Sequence, residues 1–410
     1  YSFSPNIIAH SRLVTTDIGA TTFMIVALFL FHKWFQRRTW KRTFFSGLFL
    51  GIAQISKFSS LTLYIIILLF SIVSCARNRW EKKDVVKLIA ILAISIFIIN
   101  VGYLNKGSFT KMEEYEFKSG FMRSSQSILP ASFRVPLPSD YVSGFDIQKF
   151  ETEQKYDQFL MGRFSRKGWW YYYLAAFMLK VPLTLIMLLF LLVFYQAFKR
   201  MPRVSNSEML IFLSVFVYVG MFSFGTQHNI GFRFMLPMLP LLHIYSSRIF
   251  SLKINQKVKI CIVNFVVAGY ILSSLSIYPH YLSFFNILAG GPKNGHNYLI
   301  DSNIDWGQDL VLLKEYMDKK GIETVNLAYF GRVDPSIYGI DYELLDRERK
   351  KGIAALSVNY YQGLSYDLLK ERKIYPVQEG YYKYFHEYPI KDRIGYSILI
   401  FDVDTSSKQQ

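Results

Sequence analysis

Cysteine, acidic residues and sequence repeats are all scarce in this chain, and each scarcity excludes a class of protein. The 410 residues contain two cysteines, Cys75 and Cys261, both inside or beside apolar blocks, so no disulfide framework or thiolate metal site is encoded. The 30 Asp and Glu residues are outnumbered by 47 Lys and Arg, which gives a formal charge of +17. The sequence has no internal repeat or low-complexity segment, and its hydrophobic fraction of 51% excludes a disordered or fibrous chain.

The apolar residues come in blocks long enough to cross a bilayer, which requires about 20 helical residues. Eight blocks predict membrane-spanning helices, and the second is the shortest. They cover residues 18–32, 43–56, 58–75, 85–103, 173–197, 209–225, 234–249 and 260–278. We therefore expect an α-helical polytopic membrane protein embedded in a lipid bilayer, and an ordinary soluble enzyme is excluded.

Most of the positive charge falls in alternate loops and predicts the orientation. Four of these loops hold sixteen basic residues but only three acids, Glu81, Asp84 and Glu208. The four loops are residues 31–42, 76–84, 198–208 and 247–259. By the positive-inside rule they are cytoplasmic. The charge is then a topology signal, and we expect no nucleic-acid partner.

Every long hydrophilic segment falls on the other, outer face, including the loop 104–170 and the tail after residue 280. Residues 1–279 are predicted to form the membrane domain, and residues 280–410 a small extracytoplasmic α/β domain. Strand-like runs in the tail alternate with helical patterns, as α/β domains require. The strand-like runs are 324–330, 352–358 and 395–403, and the helical patterns are 307–320 and 364–372.

Two further signals bear on the topology of the membrane domain. Five aromatic residues, Trp169 to Tyr173, precede the fifth predicted span and are typical of an interfacial aromatic belt. Residue 1 is not Met, and no signal peptide precedes the first span, which would run from outside to inside. We therefore expect further spans upstream of the sequence.

Residues with catalytic chemistry gather at the outer end of the first predicted span. His10, Arg12 and Asp17 lie in one short segment. A carboxylate at the membrane edge is unfavourable unless it is paired or hydrated. Asp17 could cap the first span by accepting backbone N–H bonds, or it could act with His10 and Arg12, which lie within two turns if the segment is helical.

Four more basic residues fall on the same outer face: Lys57, Lys180, His228 and Arg233. Lys57 could simply extend toward the headgroups. Lys180 lies about two turns inside the fifth span and beside Pro182, too deep for that explanation. Together, such cations would bind an anionic headgroup, most simply a phosphate or pyrophosphate attached to a lipid.

That arrangement constrains the chemistry. An enzyme with its polar loops outside cannot reach cytoplasmic nucleotide donors, so a transferred group would arrive on a lipid, and a lipid-phosphate-linked sugar fits. The acceptor hydroxyl would lose its proton to a carboxylate general base. Lys or Arg would stabilise the departing lipid phosphate.

Six motifs follow one another along the chain. They are PNIIAHSRLVTTD at 5–17, KVPL at 180–183, GFRFMLP at 231–237, YLSFFN at 281–286, GGP at 290–292 and DSNIDWGQDL at 301–310. In this order they resemble motifs of the bacterial membrane glycosyltransferases related to the protein O-mannosyltransferases and the aminoarabinose lipid A transferase, which share the GT-C fold. The tail motif is the most specific of them.

The resemblance implies transfer of a sugar from a polyprenyl-phosphate donor to a protein, glycolipid or polysaccharide acceptor outside the bacterial inner membrane. In that family the catalytic Asp lies in the first external loop, so the general base is expected upstream of residue 1. Asp17 matches a second acidic position, which assists the site or contacts a metal in some members. A divalent metal ion at Asp17 is therefore the one cofactor to consider.

The resemblance and the charge placement together assign the roles. Asp17 is expected to be the second acid, supported by His10 and Arg12. Lys180 and Arg233 are expected to bind the donor phosphate.

Lys57 and His228 are expected beside that phosphate. In the tail, the polar motif residues either cap a helix, as Asp does, or contact the acceptor or the site. These residues are Asp301, Asp305, Trp306, Gln308 and Asp309.

Two other classes of function stay open. A transporter or flippase of a lipid-linked sugar would typically show inverted repeats and ionisable groups near the membrane midplane, whereas these charges gather at one face. A non-catalytic scaffold of the cell envelope is the third hypothesis, because a chain without the general base would be inactive.

Overall fold

The computed structural model describes residues 1–77, 80–198, 204–225, 228–345, 351–370 and 373–403. Most of this chain is helical. The helices are α1 (Pro5–Arg12), α2 (Asp17–Gln36), α3 (Trp40–Ser56), α4 (Thr62–Arg77), α5 (Lys82–Gly102), α6 (Gly120–Ile128), α7 (Ser139–Glu153), α8 (Tyr172–Lys180), α9 (Leu183–Phe198), α10 (Asn206–Phe224), α11 (Met238–Ser246), α12 (Gln256–Ile277), α13 (Leu310–Lys320) and α14 (Val358–Gln362). The strands are β1 (Gln158–Leu160), β2 (Arg163–Ser165), β3 (Thr324–Ala328), β4 (Asp341–Leu344), β5 (Ile353–Ser357), β6 (Leu368–Lys370), β7 (Lys373–Tyr375), β8 (Asp392–Ile394) and β9 (Ile398–Asp402).

The described residues contain five helices long and apolar enough to cross a membrane: α2, Phe58–Arg77, α5, α10 and α12. This confirms an α-helical polytopic membrane protein, but the expectation of eight spans is not met. The fifth predicted span is two helices, α8 and α9, bent by 116°. Pro182 sits at the bend, where it lacks an N–H and its ring clashes with the preceding turn.

The two other shortfalls have separate causes. The second predicted span is α3, which has 17 residues, about the shortest length that can cross a bilayer. The seventh is divided into a 3₁₀ turn (Phe232–Met235), the nine-residue α11 and a second 3₁₀ turn (Ser247–Ser251). Apolar composition alone cannot distinguish such a broken segment from one long helix.

Close packing of α3 on α5 depends on glycine. A Cβ at Gly47 would lie 2.7 Å from the Ile94 Cβ, and one at Gly51 would lie 2.6 Å from the Ile98 Cβ. The two glycines form a G-x-x-x-G pattern, which lets two helix backbones approach closely in a membrane. The backbones of α3 and α5 therefore leave no room for larger side chains at these positions.

Ion pairs join the basic loops at one end of the helices. Arg38 Nη1 lies 2.6 Å from Asp84 Oδ2, and Arg248 pairs with Glu208. These pairs connect the first loop with the second and the third with the fourth. Ser207 Oγ lies within hydrogen-bond distance of His32 Nε2, at 3.2 Å, and joins the third loop to the first, so the four loops share one face. Arg79, Lys199, Arg200 and Arg203, which contribute to the predicted charge of that face, lie outside the described residues.

The tail contains a five-stranded mixed sheet in the order β4-β3-β5-β9-β8. β3 is parallel to β4 and β5, and β9 is antiparallel to β5 and β8. Leu313 and Met317 of α13 pack on this sheet in one apolar cluster. The predicted strands near 324–330, 352–358 and 395–403 and the helix near 307–320 are confirmed. The predicted helix at 364–372 is wrong, since β6 and β7 form a hairpin that pairs Leu369 with Ile374; residues 371 and 372 are not described.

The aromatic run before the bent helix pair divides into two environments. Trp170 is 57% exposed, as an interfacial anchor should be. Tyr172 and Tyr173 are each only 1% exposed and belong to the core. The expectation of a five-residue belt is therefore wrong for these two, because the first turn of α8 faces inward.

The tail also stabilises the bend between α8 and α9. A helix end leaves backbone carbonyls without intrahelical partners. Asn286 Nδ2 donates to the carbonyls of Met178 and Val181 at 2.6 and 2.8 Å, and its own N–H donates to Leu179 O at 2.9 Å. Asn286, the last residue of the YLSFFN motif, thus caps the C-terminal end of α8.

Candidate active site

Asp17 is the buried centre of the site. It is the first residue of α2, after the break that follows α1. Its Oδ1 is ion-paired with Lys57 Nζ, and its Oδ2 lies 3.9 Å from Arg233 Nη1. The interpretation of Asp17 as a helix cap is wrong, because Thr16 occupies the cap position and the carboxylate binds two cations instead.

Aromatic rings position the same two cations. Lys57 Nζ lies 5.1 Å from the Phe234 ring centroid, and the Arg233 guanidinium carbon lies 5.2 Å from it. The same guanidinium carbon lies 4.7 Å from the Trp306 ring centroid. Cation–π contacts of this kind favour one orientation of the guanidinium. The tail motif therefore reaches the site through Trp306.

His10 lies beside this cluster and is buried. Burial lowers its pKa to about 4; Asp17 opposes this shift, while the charges of Lys180, Arg233 and Lys57 add to it. His10 is therefore neutral at pH 7. Its Nδ1 has no hydrogen-bond partner among the described residues.

Arg12 lies away from the cluster, contrary to expectation. It is exposed, and its Nη1 donates to Pro279 O at 3.0 Å. It lies two positions after His10, which rotates the side chain by about 200° around the helix. His10 consequently faces the cluster, whereas Arg12 contacts the end of the membrane domain.

Lys180 is 1% exposed and has a structural role inside the protein. Its Nζ donates to Leu282 O at 2.7 Å and to Asn303 O at 2.6 Å, and it lies 4.4 Å from the Phe285 ring centroid. Two of its three N–H donors are therefore engaged by tail carbonyls. This position corrects the expectation that Lys180 faces the donor phosphate.

His228 is half-buried near Arg233, at the start of the link that carries it. Tyr173 Oη donates to His228 O at 2.7 Å, and the imidazole packs edge-on against Tyr156 at 5.5 Å. Burial lowers the His228 pKa; Glu151 raises it, and Arg233 lowers it further. Gln227, which belongs to the same predicted link, lies outside the described residues.

Two tail residues define the environment of Trp306. Gln308 Oε1 accepts a hydrogen bond from Trp306 N at 2.7 Å. Asp301 lies near Arg233; burial raises its pKa to about 6, against the lowering effects of the Ser302 N–H and of Arg233. The motif therefore presents both an indole ring and a titratable carboxyl group toward Arg233.

Asp305 and Asp309 are buried inside the tail and do not cap α13. Asp305 accepts from Ser357 Oγ at 2.5 Å and from Gly307 N at 2.8 Å, and burial raises its pKa to about 7. Asp309 precedes α13, but its Oδ2 accepts from Ser397 Oγ at 2.7 Å. The capping interpretation fails because these carboxylates bind hydroxyl groups of the sheet.

Asn303 is a positioning residue that the sequence analysis did not identify. Its Oδ1 accepts from Phe232 N at 2.9 Å, and its Nδ2 donates to Tyr172 Oη at 2.9 Å. Its carbonyl accepts from Lys180. Asn303 thus joins the turn that carries Arg233 to α8. The available signal was its position inside the tail motif.

A largely apolar cavity of 530 Å³ opens beside the cluster. Phe58 and Ile65 line it from the segment Phe58–Arg77, and Phe222 lines it from α10. Arg233 and His228 contribute polar groups to its wall. We call this cavity the apolar groove. Arg233 therefore belongs both to the ion-paired cluster and to the apolar groove.

Four buried nitrogen atoms around the site lack a hydrogen-bond partner within the described ranges. They are His10 Nδ1, His228 Nδ1, Arg233 Nε and Trp306 Nε1. Buried polar groups are normally hydrogen-bonded to protein, water or a ligand. The Arg and Trp nitrogens are donors, so this group of atoms suits an anionic ligand.

The same geometry does not suit a divalent metal ion at Asp17. Across the part of the chain that the structure describes, no group of three or more His, Cys, Asp and Glu residues could hold a metal. Asp17 is already neutralised by Lys57 and Arg233. A divalent cation there would face repulsion from both.

Comparison with protein families matches residues 1–103 to the family described as dolichyl-phosphate-mannose-protein mannosyltransferase. This confirms the resemblance to GT-C membrane glycosyltransferases. The matched region contains His10, Asp17 and Lys57, and it ends before Arg233 and the tail. Searches of curated proteins and of solved structures found no match.

Proposed function

We propose that the chain transfers a glycosyl group from a polyprenyl-phosphate-linked donor to an acceptor hydroxyl at the outer face of the bacterial inner membrane. The observation that carries the proposal is the position of Arg233. It joins a carboxylate–cation cluster to an apolar groove, so one ligand could place its phosphate in the cluster and its chain in the groove.

The phosphate provides most of the selectivity in this arrangement. A polyprenyl chain gains little by moving from lipid into an apolar groove, because lipid tails are equally apolar. The charge-assisted hydrogen bonds between a phosphate and a guanidinium are strong and directional. Within the described residues Arg233 Nε has no hydrogen-bond partner, and neither does Nε1 of Trp306, whose ring centroid lies 4.7 Å from the Arg233 guanidinium carbon.

The reaction breaks the bond between the anomeric carbon and the phosphate oxygen. The acceptor oxygen forms the new bond to that carbon, its proton passes to a carboxylate general base, for which the family resemblance implies a residue other than Asp17, and the bonding electrons leave with the phosphate. Arg233 stabilises the charge that develops on that leaving group. Asp17 orients Arg233 and Lys57, and we assign it this positioning role, since protonating it would break both ion pairs.

A transfer assay tests the proposal. The full-length protein, with any residues before Tyr1 that supply the general base, is reconstituted in liposomes with a polyprenyl-phosphate-linked sugar and a hydroxyl acceptor. Arg233→Ala should lower kcat/KM for the donor by about 100-fold, as expected for loss of one leaving-group stabiliser. Arg123→Ala, which removes an exposed arginine of α6, should stay near the wild-type value.

Two outcomes would contradict the proposal. Arg233→Ala could turn over at the wild-type rate, which would remove Arg233 from the donor site. Alternatively, wild-type protein could move the lipid-linked sugar across the bilayer without transferring it to any acceptor. That second result would establish the flippase hypothesis.

A further inference from the structure

A second cavity, of 520 Å³, lies where the end of α12 meets the tail. We call it the seam pocket and define it by its polar lining residues His280, Lys293, Asp392, Arg393 and Tyr396. Three of these side chains are basic and one is acidic. The seam pocket shares no lining residue with the apolar groove.

Lys293 and Arg393 have no carboxylate partner for their side chains among the described residues. Arg393 Nη1 donates to the Lys293 carbonyl at 3.2 Å, which holds the guanidinium beside Lys293. Of the ion pairs between described residues, none includes the side chain of Lys293 or Arg393. The Asp392 carboxylate accepts from Arg393 N at 2.8 Å and from Tyr316.

The surrounding groups do not compensate this charge either. His280 Nδ1 lies 3.8 Å from Asp309 Oδ1, so the nearest buried carboxylate is directed to His280 and to Ser397. Behind the pocket, burial lowers the pKa of His296 to about 4, and the charge of Arg393 contributes to that shift. The region therefore contains two cationic side chains, Lys293 and Arg393, with no carboxylate partner among the described residues, and an anion could pair with both.

The pocket directly follows the end of a helix long and apolar enough to span a membrane. It begins three residues after α12 ends at Ile277. Tyr278 is 70% exposed, and Ile287, in the stretch between His280 and Lys293, is 76% exposed. Exposed apolar side chains beside cations at the end of a span are typical of contact with lipid headgroups and upper acyl chains.

We infer that the seam pocket binds the phosphate of a second membrane lipid, separate from the donor. Helix α1 lies between the two sites: His10 faces the active-site cluster, whereas Arg12 donates to Pro279, next to His280. Lys293 and Arg393 would bind the phosphate oxygens, and Tyr278 and Ile287 would contact the acyl chains. The inference goes beyond the proposed function and does not depend on it, because an inactive chain would bind the same lipid.

A binding measurement tests the inference. The full chain is placed in phosphatidylcholine nanodiscs, and binding of fluorescent phosphatidic acid is titrated. A basic residue near a membrane surface contributes about 1 kcal/mol to binding of anionic lipid, which is about a fivefold change in Kd. Lys293→Ala/Arg393→Ala should therefore weaken binding about 25-fold. The matched control Lys319→Ala/Lys351→Ala removes two exposed charges elsewhere in the tail and should change little.

The outcomes separate the possible ligands. Unchanged binding by the double variant would overturn the inference. The variant Lys293→Glu changes an exposed side chain and so guards against misfolding as the cause of weaker binding. Inorganic phosphate that binds as tightly as phosphatidic acid and displaces it would assign the pocket to a soluble anion instead. Arg233→Ala should leave phosphatidic acid binding intact, so failure of the proposed function and failure of this inference are distinguishable.

Discussion

A carboxylate and two aromatic rings contact the Arg233 guanidinium, and each contact restricts the conformations of its side chain. Asp17 lies on one side, and Phe234 and Trp306 provide the rings. An arginine that is already oriented loses little entropy when it binds a phosphate. The indole in particular comes from the tail, far from Arg233 in sequence.

Replacing Trp306 tests the contribution of this orientation. Trp306→Ala should raise the KM for the lipid-linked donor about five- to 30-fold, because a partly buried cation–π contact contributes about 1–2 kcal/mol. Trp306→Phe should recover most of the loss. Trp170→Ala is the control, since Trp170 stacks on Phe224 and is exposed; an equal effect of both alanine variants would show that the loss is not specific to Arg233.

Charge balance at Asp17 can be separated from its function. Asp17→Asn leaves two largely buried cations without their carboxylate, so we expect a loss of stability of about 3 kcal/mol and a fall in kcat of about 100-fold. Asp17→Asn/Lys57→Met should recover part of the stability but none of the activity. Thermal unfolding and the transfer assay measure the two effects. Recovery of activity in the double variant would show that Asp17 acts only on folding.

Asp305 makes the stability of the tail depend on pH with an unusual sign. Burial raises its pKa from 3.8 to about 7, so between these values the folded state binds more protons than the unfolded state. Its contribution is therefore fully present at low pH and is lost as the pH rises through 7. The difference in the free energy of unfolding, wild type minus Asp305→Asn, should fall by up to about 1.4 kcal/mol per pH unit between pH 5 and 7.

The comparison with Asp305→Asn is needed because a histidine acts in the opposite direction. The pKa of His296 is lowered to about 4, so its contribution is lost as the pH falls below 6.5. Subtracting the variant removes this term, which both proteins share. A flat difference across pH 5–8, measured by chemical unfolding, would show that Asp305 is ionised in the folded protein throughout.

At the scale of elements, the bend between α8 and α9 is fixed more by its cap than by its proline. Asn286→Ala removes the donor from two buried carbonyls, so we expect a loss of about 2–4 kcal/mol of unfolding free energy. Pro182→Ala should have a smaller effect because the cap remains. Asn294→Ala is the matched control, since Asn294 is exposed and bonds Gly290 O at 3.2 Å. Thermal unfolding in detergent measures all three, and a larger loss in Pro182→Ala would contradict this ranking.

Elements were predictable from sequence where one periodicity or composition dominates. Long apolar runs such as α2 and α12 were found because a bilayer demands length. The breaks at Pro182 and around α11 were not found, because hydropathy averages over a kink and its capping partner is about 100 residues away. The strands β3, β5 and β9 were found from their apolar runs, whereas the edge strands β4 and β8 are short and partly exposed.

The candidate site was only partly predictable for the same reason. In a chain of alternating spans, every second connection lies on the same face. This rule correctly predicted that Asp17, Lys57 and Arg233 lie close together. No local pattern shows that Lys180 binds tail carbonyls or that Arg12 faces Pro279. Those contacts depend on how the tail folds back, which only the three-dimensional structure shows.

At the scale of the whole molecule, the membrane helices and the tail build one site. The tail supplies Trp306 to stack on Arg233 and Asn303 to hold the turn before it. Lys180 links the bent helix pair to the same tail segment. Opening this interface would separate Arg233 from its ring and expose a buried ammonium group, so we expect the two parts to unfold together.

The most direct test of the account is a cryo-electron microscopy structure of the full chain in a nanodisc with polyprenyl phosphate. We predict phosphate density within about 3 Å of the Arg233 guanidinium, the usual distance of a charge-assisted hydrogen bond, and chain density along Phe58, Ile65 and Phe222. Phosphate density away from Arg233, with the groove empty of the polyprenyl chain, would contradict the central claim that this cluster and groove bind one lipid-linked donor.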